Sequence, residues 1–264
     1  MNKPFCGTAL ITGASTGIGA ALAREFAGNG HDLILVARSL GKLRALADEL
    51  SAQHGIQAEV IAQDLSVMDA AETLHAEVLR RGLTVDILVN NAGLLFEGPY
   101  WETPLASHQQ LLQVNIGAVM ALTHHFLPEM LARGQGRVLN LASTSAFQPV
   151  PYLASYAASK AFVLSFSEAL AIELKGRGVT VTALCPGFTE TEMIAKDGGK
   201  SMSVPLVRNM TAEEVAQEGY VACMTGRPMH VNGLANRALV TLGRLQPKVL
   251  QRWIIERVAK SGIL

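Results

Sequence analysis

Six short apolar runs, each parted from the next by a segment of helical length, constrain this chain more than any other feature. The runs are TALIT (8–12), LILVA (33–37), AEVIA (58–62), VDILVN (85–90), RVLNLAS (137–143) and VTVTALC (179–185). Rich in Val, Ile and Leu and without polar alternation, they suit strands buried on both faces of a parallel sheet. The segments between them predict helices over 17–27, 40–54, 67–82, 104–133 and 152–175. RRG (80–82) and KGRG (175–178) place a glycine after basic residues, a common helix stop. Repeated strand–helix alternation implies right-handed βαβ units on both sides of one sheet. The expected fold is α/β, a doubly wound parallel sheet flanked by helices, in one domain over 1–264.

After Pro186 the pattern changes. Residues 186–211 mix Gly, Pro and charge with Met193, Ile194, Met202, Val204, Leu206 and Met210, which reads as a loop or short helices. The tail from 211 to 264 reads as helices around a short strand near 229–231. Lys and Arg number 22 and so do Asp and Glu, so the chain has no electrostatic footprint for nucleic acid or an anionic membrane. Cys6, Cys185 and Cys223 are widely spaced and form no CxxC, which argues against a disulfide framework or a thiolate zinc site. His124–His125 lacks ligand spacing, so no metal is expected. The opening MNKPFCGTALITG lacks the apolar region of a signal peptide, and no window approaches eighteen uninterrupted apolar residues. A cytoplasmic location is expected.

TGASTGIG (12–19) joins the first run to the first helical segment. Glycines there permit a tight turn and close approach, and the helix N-terminus offers free N–H groups to a phosphate. Gly13, Ser15, Thr16, Gly17, Ile18 and Gly19 are therefore candidate dinucleotide contacts, although a glycine-rich turn without a ligand has the same letters. In NAD sites an acid about 20 residues further on accepts the ribose hydroxyls. Here LVARS supplies Arg38 and Ser39 and no acid; Arg38 can pair with a 2′-phosphate. Other strand ends add Asp64, to accept from an adenine amino group, and Asn91, Ala92 and Gly93, whose small size lets a cofactor approach.

Ser143 stands at the end of the fifth run, ahead of YAASK (156–160). Tyr156 and Lys160, at i and i+4, share one helix face. An ammonium about 4 Å from a phenolate at an effective dielectric near 20 is worth up to ~4 kcal/mol, enough to lower the phenol's pKa well below its ordinary value. An acid–base group so tuned suits carbonyl–alcohol interconversion.

The ordered combination of TGASTGIG, Asp64, NNAG (90–93), Asn115 in QVNIGA, Ser143, YAASK and PGFTET (186–191) resembles the short-chain dehydrogenase/reductases in their compact one-domain form. The resemblance covers about residues 7–191. It implies a Rossmann-type sheet and a catalytic set of Asn115, Ser143, Tyr156 and Lys160. Tyr156 would be the acid/base and Ser143 would orient the substrate. Lys160 would bind the nicotinamide ribose and lower the Tyr156 pKa, and Asn115 would hold a water in a proton relay. Pro186, Gly187, Phe188 and Thr191 would join the cofactor contacts, the last two flanking the nicotinamide carboxamide. NADP(H) is the preferred cofactor and NAD(H) the other possibility, because Thr16 stands where many NADP-preferring members carry a basic residue. The implied partner is a small carbonyl or alcohol substrate. A homodimer or homotetramer is implied too, with helices 104–133 and 152–175 at its interface. The aliphatic and Met side chains of 188–210 are expected to close over an apolar substrate of acyl, steroid-like or terpenoid-like type. Two other readings stay open: a non-catalytic dinucleotide-binding regulator, and a sugar-nucleotide epimerase or dehydratase, which shares the Tyr–Lys pair.

Overall fold

The strands of the structure, a computed structural model that describes residues 6–189 and 208–260, follow the six apolar runs and add a seventh. They are β1 (Ala9–Thr12), β2 (Leu33–Ala37), β3 (Ala58–Ala62), β4 (Ile87–Asn90), β5 (Gly136–Leu141), β6 (Val179–Cys185) and β7 (Met229–Val231). All are parallel, in the order β3–β2–β1–β4–β5–β6–β7. The winding reverses between β1 and β4, where such a sheet opens a ligand crevice at its carboxyl edge.

Helices cover both faces. They are α1 (Gly17–Gly28), α2 (Leu40–His54), α3 (Ala70–Arg80), α4 (Leu105–Leu112), α5 (Ala118–Arg133), α6 (Ala154–Glu173), α7 (Ala212–Met224), α8 (Leu234–Leu245) and α9 (Lys248–Lys260). Successive strand residues point to opposite faces. Ile11 and Leu35 thus pack with Leu22, Leu43 and Val215 of α1, α2 and α7. Leu10 and Ile34 meet Leu74 and Phe126 of α3 and α5 on the other side. Two covered faces explain why the runs show no polar alternation. Each fully buried Leu or Ile contributes roughly 1.5–3 kcal/mol, and the strands supply most of them.

Two helix expectations need correction. The helix expected from 67 begins at Ala70, because Val67–Asp69 belong to a turn in which the Val67 amide donates to the Asp64 carbonyl. The stretch 104–133 is not one uniform helix: a π turn at Gln113–Gly117 separates α4 from α5. The expected tail strand is β7. Residues 190–207, which carry Thr191 and most of the loop expected to close over the substrate, lie outside the described residues. Thr189 and Met210 flank that segment and form a single parallel bridge.

Candidate active site

The crevice begins where β1 turns into α1. Gly13 has a positive φ of 67°, and a Cβ there would lie 2.9 Å from the Ala92 Cα. At Gly19 a Cβ would collide with the Gly13 carbonyl and the Asn91 amide. The loop therefore folds flat against the end of β4. Thr16 caps α1 with extended backbone and no side-chain hydrogen bond, which leaves the first N–H groups of the helix for a ligand. Asn91 secures the loop from below: its Nδ2 donates to the Thr12 carbonyl at 2.8 Å and to the Gly13 carbonyl at 3.3 Å. That side chain thus shapes the cradle, where the sequence alone marked it as a cofactor contact.

Arg38 and Ser39 are exposed at the end of β2 and line the same crevice. Asp64 lines it at the end of β3. Its Oδ1 accepts from the Ser66 amide at 2.9 Å, and this bond, with Arg38 nearby, holds the carboxyl below its usual range.

At the other end of the crevice Ser143 ends the β5 run, and a short 3₁₀ turn, Thr144–Phe147, leads toward α6. Tyr156 and Lys160 project from one face of α6. The Ser143 hydroxyl stands near the Tyr156 phenol, and its Oγ accepts from the Ser145 amide at 3.1 Å. Lys160 is 5 % exposed, donates to the Leu141 carbonyl at 2.7 Å, and holds its ammonium 5.7 Å from the centre of the Tyr156 ring.

The expected tuning of Tyr156 is overturned by this geometry. Burial pushes the phenol above its ordinary value, and the nearby Ser143 hydroxyl only partly offsets it. Lys160 lies over the ring face and is engaged with a carbonyl, and burial pushes its own pKa down to about 8. Desolvation therefore outweighs the pairwise charge that the i, i+4 spacing suggested.

Asn115 sits in the π turn, 1 % exposed. Its Oδ1 accepts from the Leu94 amide at 2.8 Å, and its Nδ2 donates to the Leu94 carbonyl at 3.0 Å and to Ser159 Oγ at 3.1 Å. Ser159 in turn donates to the Tyr156 carbonyl at 2.7 Å. The amide thereby ties the loop after β4 to the helix that carries Tyr156 and Lys160.

One cavity of about 760 Å³ joins these parts. The glycine loop, Arg38, Ser39, Asp64, Asn91, Ala92, Gly93, Ser143, Tyr156, Lys160, Pro186, Gly187 and Phe188 all line it; Asn115 stands behind the lining, and Thr191 lies outside the described residues. The lining fits a dinucleotide. The cradle is one that a Cβ at Gly13 or Gly19 would fill, and Ser145 Oγ is buried without a partner among the described residues. No group of His, Cys, Asp and Glu among the described residues is arranged to hold a metal ion.

A model of the short chain dehydrogenase family matches residues 7–201. The chain belongs to that family. A short chain dehydrogenase of Pseudocercospora fijiensis is 40% identical over 72% of this chain, which spans only 62% of that protein. Serine 3-dehydrogenase of Agrobacterium fabrum is 38% identical over 86% of this chain and 90% of its own. A short-chain dehydrogenase from Sphingobium yanoikuyae, solved in complex with NADPH, superposes with a TM-score of 0.79 at 33% identity, covering 90% of this chain and 92% of that one.

In this short-chain dehydrogenase the sequence reading missed several lining residues. Lys42 reaches the crevice from the first turn of α2. Its place just past the end of β2, on the carboxyl edge of the sheet, was the available signal. Leu239, Val240, Leu242 and Gln246 come from α8 and the turn after it, and Gln251 and Ile255 from α9. No local motif marks them.

Proposed function

We propose that this short-chain dehydrogenase is an NADP(H)-dependent oxidoreductase interconverting a ketone or aldehyde and the matching alcohol. The observation that carries the reading is the continuity of the crevice from the glycine loop to Ser143, Tyr156 and Lys160, which line it together. When bound, the dinucleotide supplies or accepts the hydride. Its phosphates suit the N-terminus of α1, and Arg38 with Lys42 suits a 2′-phosphate better than a bare ribose.

Tyr156 gives the carbonyl oxygen its proton in reduction and takes it back in oxidation, while Ser143 holds that oxygen beside it. Burial holds the phenol above its ordinary value, in the protonated form that donates in reduction. Lys160 binds ribose hydroxyls and retains most of its charge below about pH 8. Asn115 positions: its Nδ2 donates twice and its Oδ1 accepts from the Leu94 amide, which fixes the loop after β4 against the helix that carries Tyr156.

Beyond Tyr156 the cleft is lined by Leu94, Leu95, Phe147, Val150, Leu153 and Val240, which suits an apolar substrate. Exposed Leu105, Leu112, Phe162 and Ile172 on α4 and α6 suit burial in a homodimer or homotetramer. Free Cys6, Cys185 and Cys223 agree with a reducing, cytoplasmic setting. The test is a panel of aliphatic, alicyclic and aromatic ketones followed at the NADPH absorbance, with NADPH and NADH titrated in parallel. Turnover of an apolar ketone with tighter NADPH binding is expected. Tighter NADH binding refutes the cofactor preference, and a wholly inert panel refutes the reaction.

A further inference from the structure

The wall of the substrate cleft is a thin partition, and behind it lies a second cavity of about 320 Å³ that opens to solvent beside the exposed Tyr100, Trp101 and Tyr152. Two strips of chain build it, one after β4 and one between the 3₁₀ turn and α6. In the first strip Leu94, Leu95 and Glu97 line the cleft, while Phe96, Gly98 and Trp101 line the cavity behind. In the second, Pro149, Val150 and Leu153 line the cleft, while Pro151 and Tyr152 line the cavity. Each strip thus faces the cleft on one side and the second cavity on the other.

The strips are clasped by a backbone hydrogen bond from the Gly98 amide to the Tyr152 carbonyl, 3.0 Å long. Both partners have positive φ, 141° at Gly98 and 64° at Tyr152. Among the described residues Tyr152 is the one non-glycine with a positive φ, and a bulky aromatic there is strained. His108 adds a second tie: its Nε2 donates to the Tyr100 carbonyl at 3.3 Å, which leaves Nδ1 to accept from Ser155 Oγ at 3.0 Å. The outer anchor of the first strip is the pair of Asn115 bonds to Leu94. Between these anchors the clasp joins the two strips backbone to backbone and helps set how far they stand into the cleft.

We propose that the Gly98–Tyr152 clasp is a specificity-determining device. It holds the partition forward for small carbonyl substrates, and the second cavity is the room into which the partition yields for bulky ones. The inference rests on the carbonyl-reductase reading. Gly98 and Tyr152 touch no reacting atom; they are positioning residues.

Two variants with opposite expected signs test it, using the ratio of kcat/KM for benzophenone to that for cyclohexanone with NADPH. In Gly98→Ala an added Cβ has only the Thr103 hydroxyl within 4 Å, at 3.8 Å, so backbone conformation alone resists it and the clasp loosens. The ratio is expected to rise about tenfold, with the NADPH Kd within about twofold of wild type. Ala154→Leu adds bulk to the second cavity from its exposed place in the first turn of α6 and leaves the clasp intact. Here the ratio is expected to fall by a similar factor while cyclohexanone turnover is kept. If Gly98→Ala does not fold, Ala154→Leu still decides. An active wild type whose ratio neither variant moves overturns this inference alone. A wild type inert toward both ketones, and toward the wider panel, overturns the carbonyl reading and this inference with it.

Discussion

The two ends of the crevice are built in opposite ways. At the dinucleotide end the floor of the cradle is tied across the sheet. Thr12 Oγ1 donates to the Val89 carbonyl and accepts from the amides of Asn91 and Ala92, while Asn91 returns a bond to the Thr12 carbonyl. Gly19 is pressed against Gly13 with no space for a methyl group. At the substrate end the lining comes from loops and from α8 and α9. Glu218 anchors the start of α8 through Arg237 and the Gly233 amide, but Leu242, Leu245 and Val249 further on are largely exposed. The contacts back to the body there are long: Gln251 Nε2 reaches the Phe147 carbonyl at 3.4 Å, and Arg244 lies 5.6 Å from the Phe147 ring centre. A cofactor of one shape rewards a rigid cradle, whereas a substrate wall that must select by bulk is free to be looser.

The largest effect should come from the chemistry where the two ends meet. Tyr156→Phe removes the proton carrier and leaves the cradle intact, so kcat should fall about 10³-fold with the NADPH Kd unchanged. Stopped-flow turnover with a fluorescence titration reads both quantities, and an active variant would dismiss Tyr156 from its role. Next is Lys160, whose buried ammonium destabilises the fold. Its pKa drops from 10.5 to about 8, so between those values the folded protein binds fewer protons than the unfolded chain. Wild-type stability should therefore rise with pH across about 8 to 10.5, relative to a Lys160→Met variant. At pH 7 the variant should be the more stable by up to about 3 kcal/mol, less about 1 kcal/mol for the lost Leu141 bond. Thermal melts of both proteins across that range check the sign. The variant should also lose activity, a trade of function against stability.

Gly19→Val probes the rigid end alone. A side chain there must displace the Gly13 carbonyl or the Asn91 amide, and overpacking of this kind costs roughly 1–3 kcal/mol. The NADPH Kd should rise roughly 10- to 100-fold and the melting temperature should drop. An unchanged Kd would mean that the cradle yields and that the contrast between the ends is false.

The same contrast explains what the sequence disclosed. Strands buried on both faces leave uninterrupted apolar runs, and the carboxyl edge of a parallel sheet gathers whatever follows them. Six strands, the glycine loop and the Ser143–Tyr156–Lys160 grouping were therefore legible. The π turn at Asn115 was not, because one extra residue in a helix barely disturbs an apolar stripe. Asn115 read as a possible relay residue, and its cross-link to Leu94 and Ser159 depends on chain segments far apart in sequence. The direction of the Tyr156 shift was misread because spacing reports a neighbouring charge but not the depth at which a phenol is buried. Lys42 was within reach of the strand-end rule, because it follows closely on β2. Leu239 and Leu242 were not, since an exposed leucine in a distant helix carries no mark of the cleft it borders.

Leu242 offers the smallest and most discriminating test. It lines the cleft from α8 yet is 58% exposed, so the fold draws little from it. Leu242→Ala should leave the melting temperature within about 2 °C of wild type, as surface substitutions do in a chain of this size. An apolar ketone that packs on it would lose contact with a few methylene-sized groups, each worth about 0.8 kcal/mol when fully buried. With more than half of the side chain in solvent, the KM should rise only about three- to tenfold, with kcat and the NADPH Kd unchanged. A small polar ketone should show no change in KM. If instead the variant melts early, α8 is part of the rigid body and the substrate end is no looser than the cradle. If KM is unmoved for every apolar ketone, α8 forms no part of the substrate wall, and selectivity rests on the Gly98–Tyr152 partition.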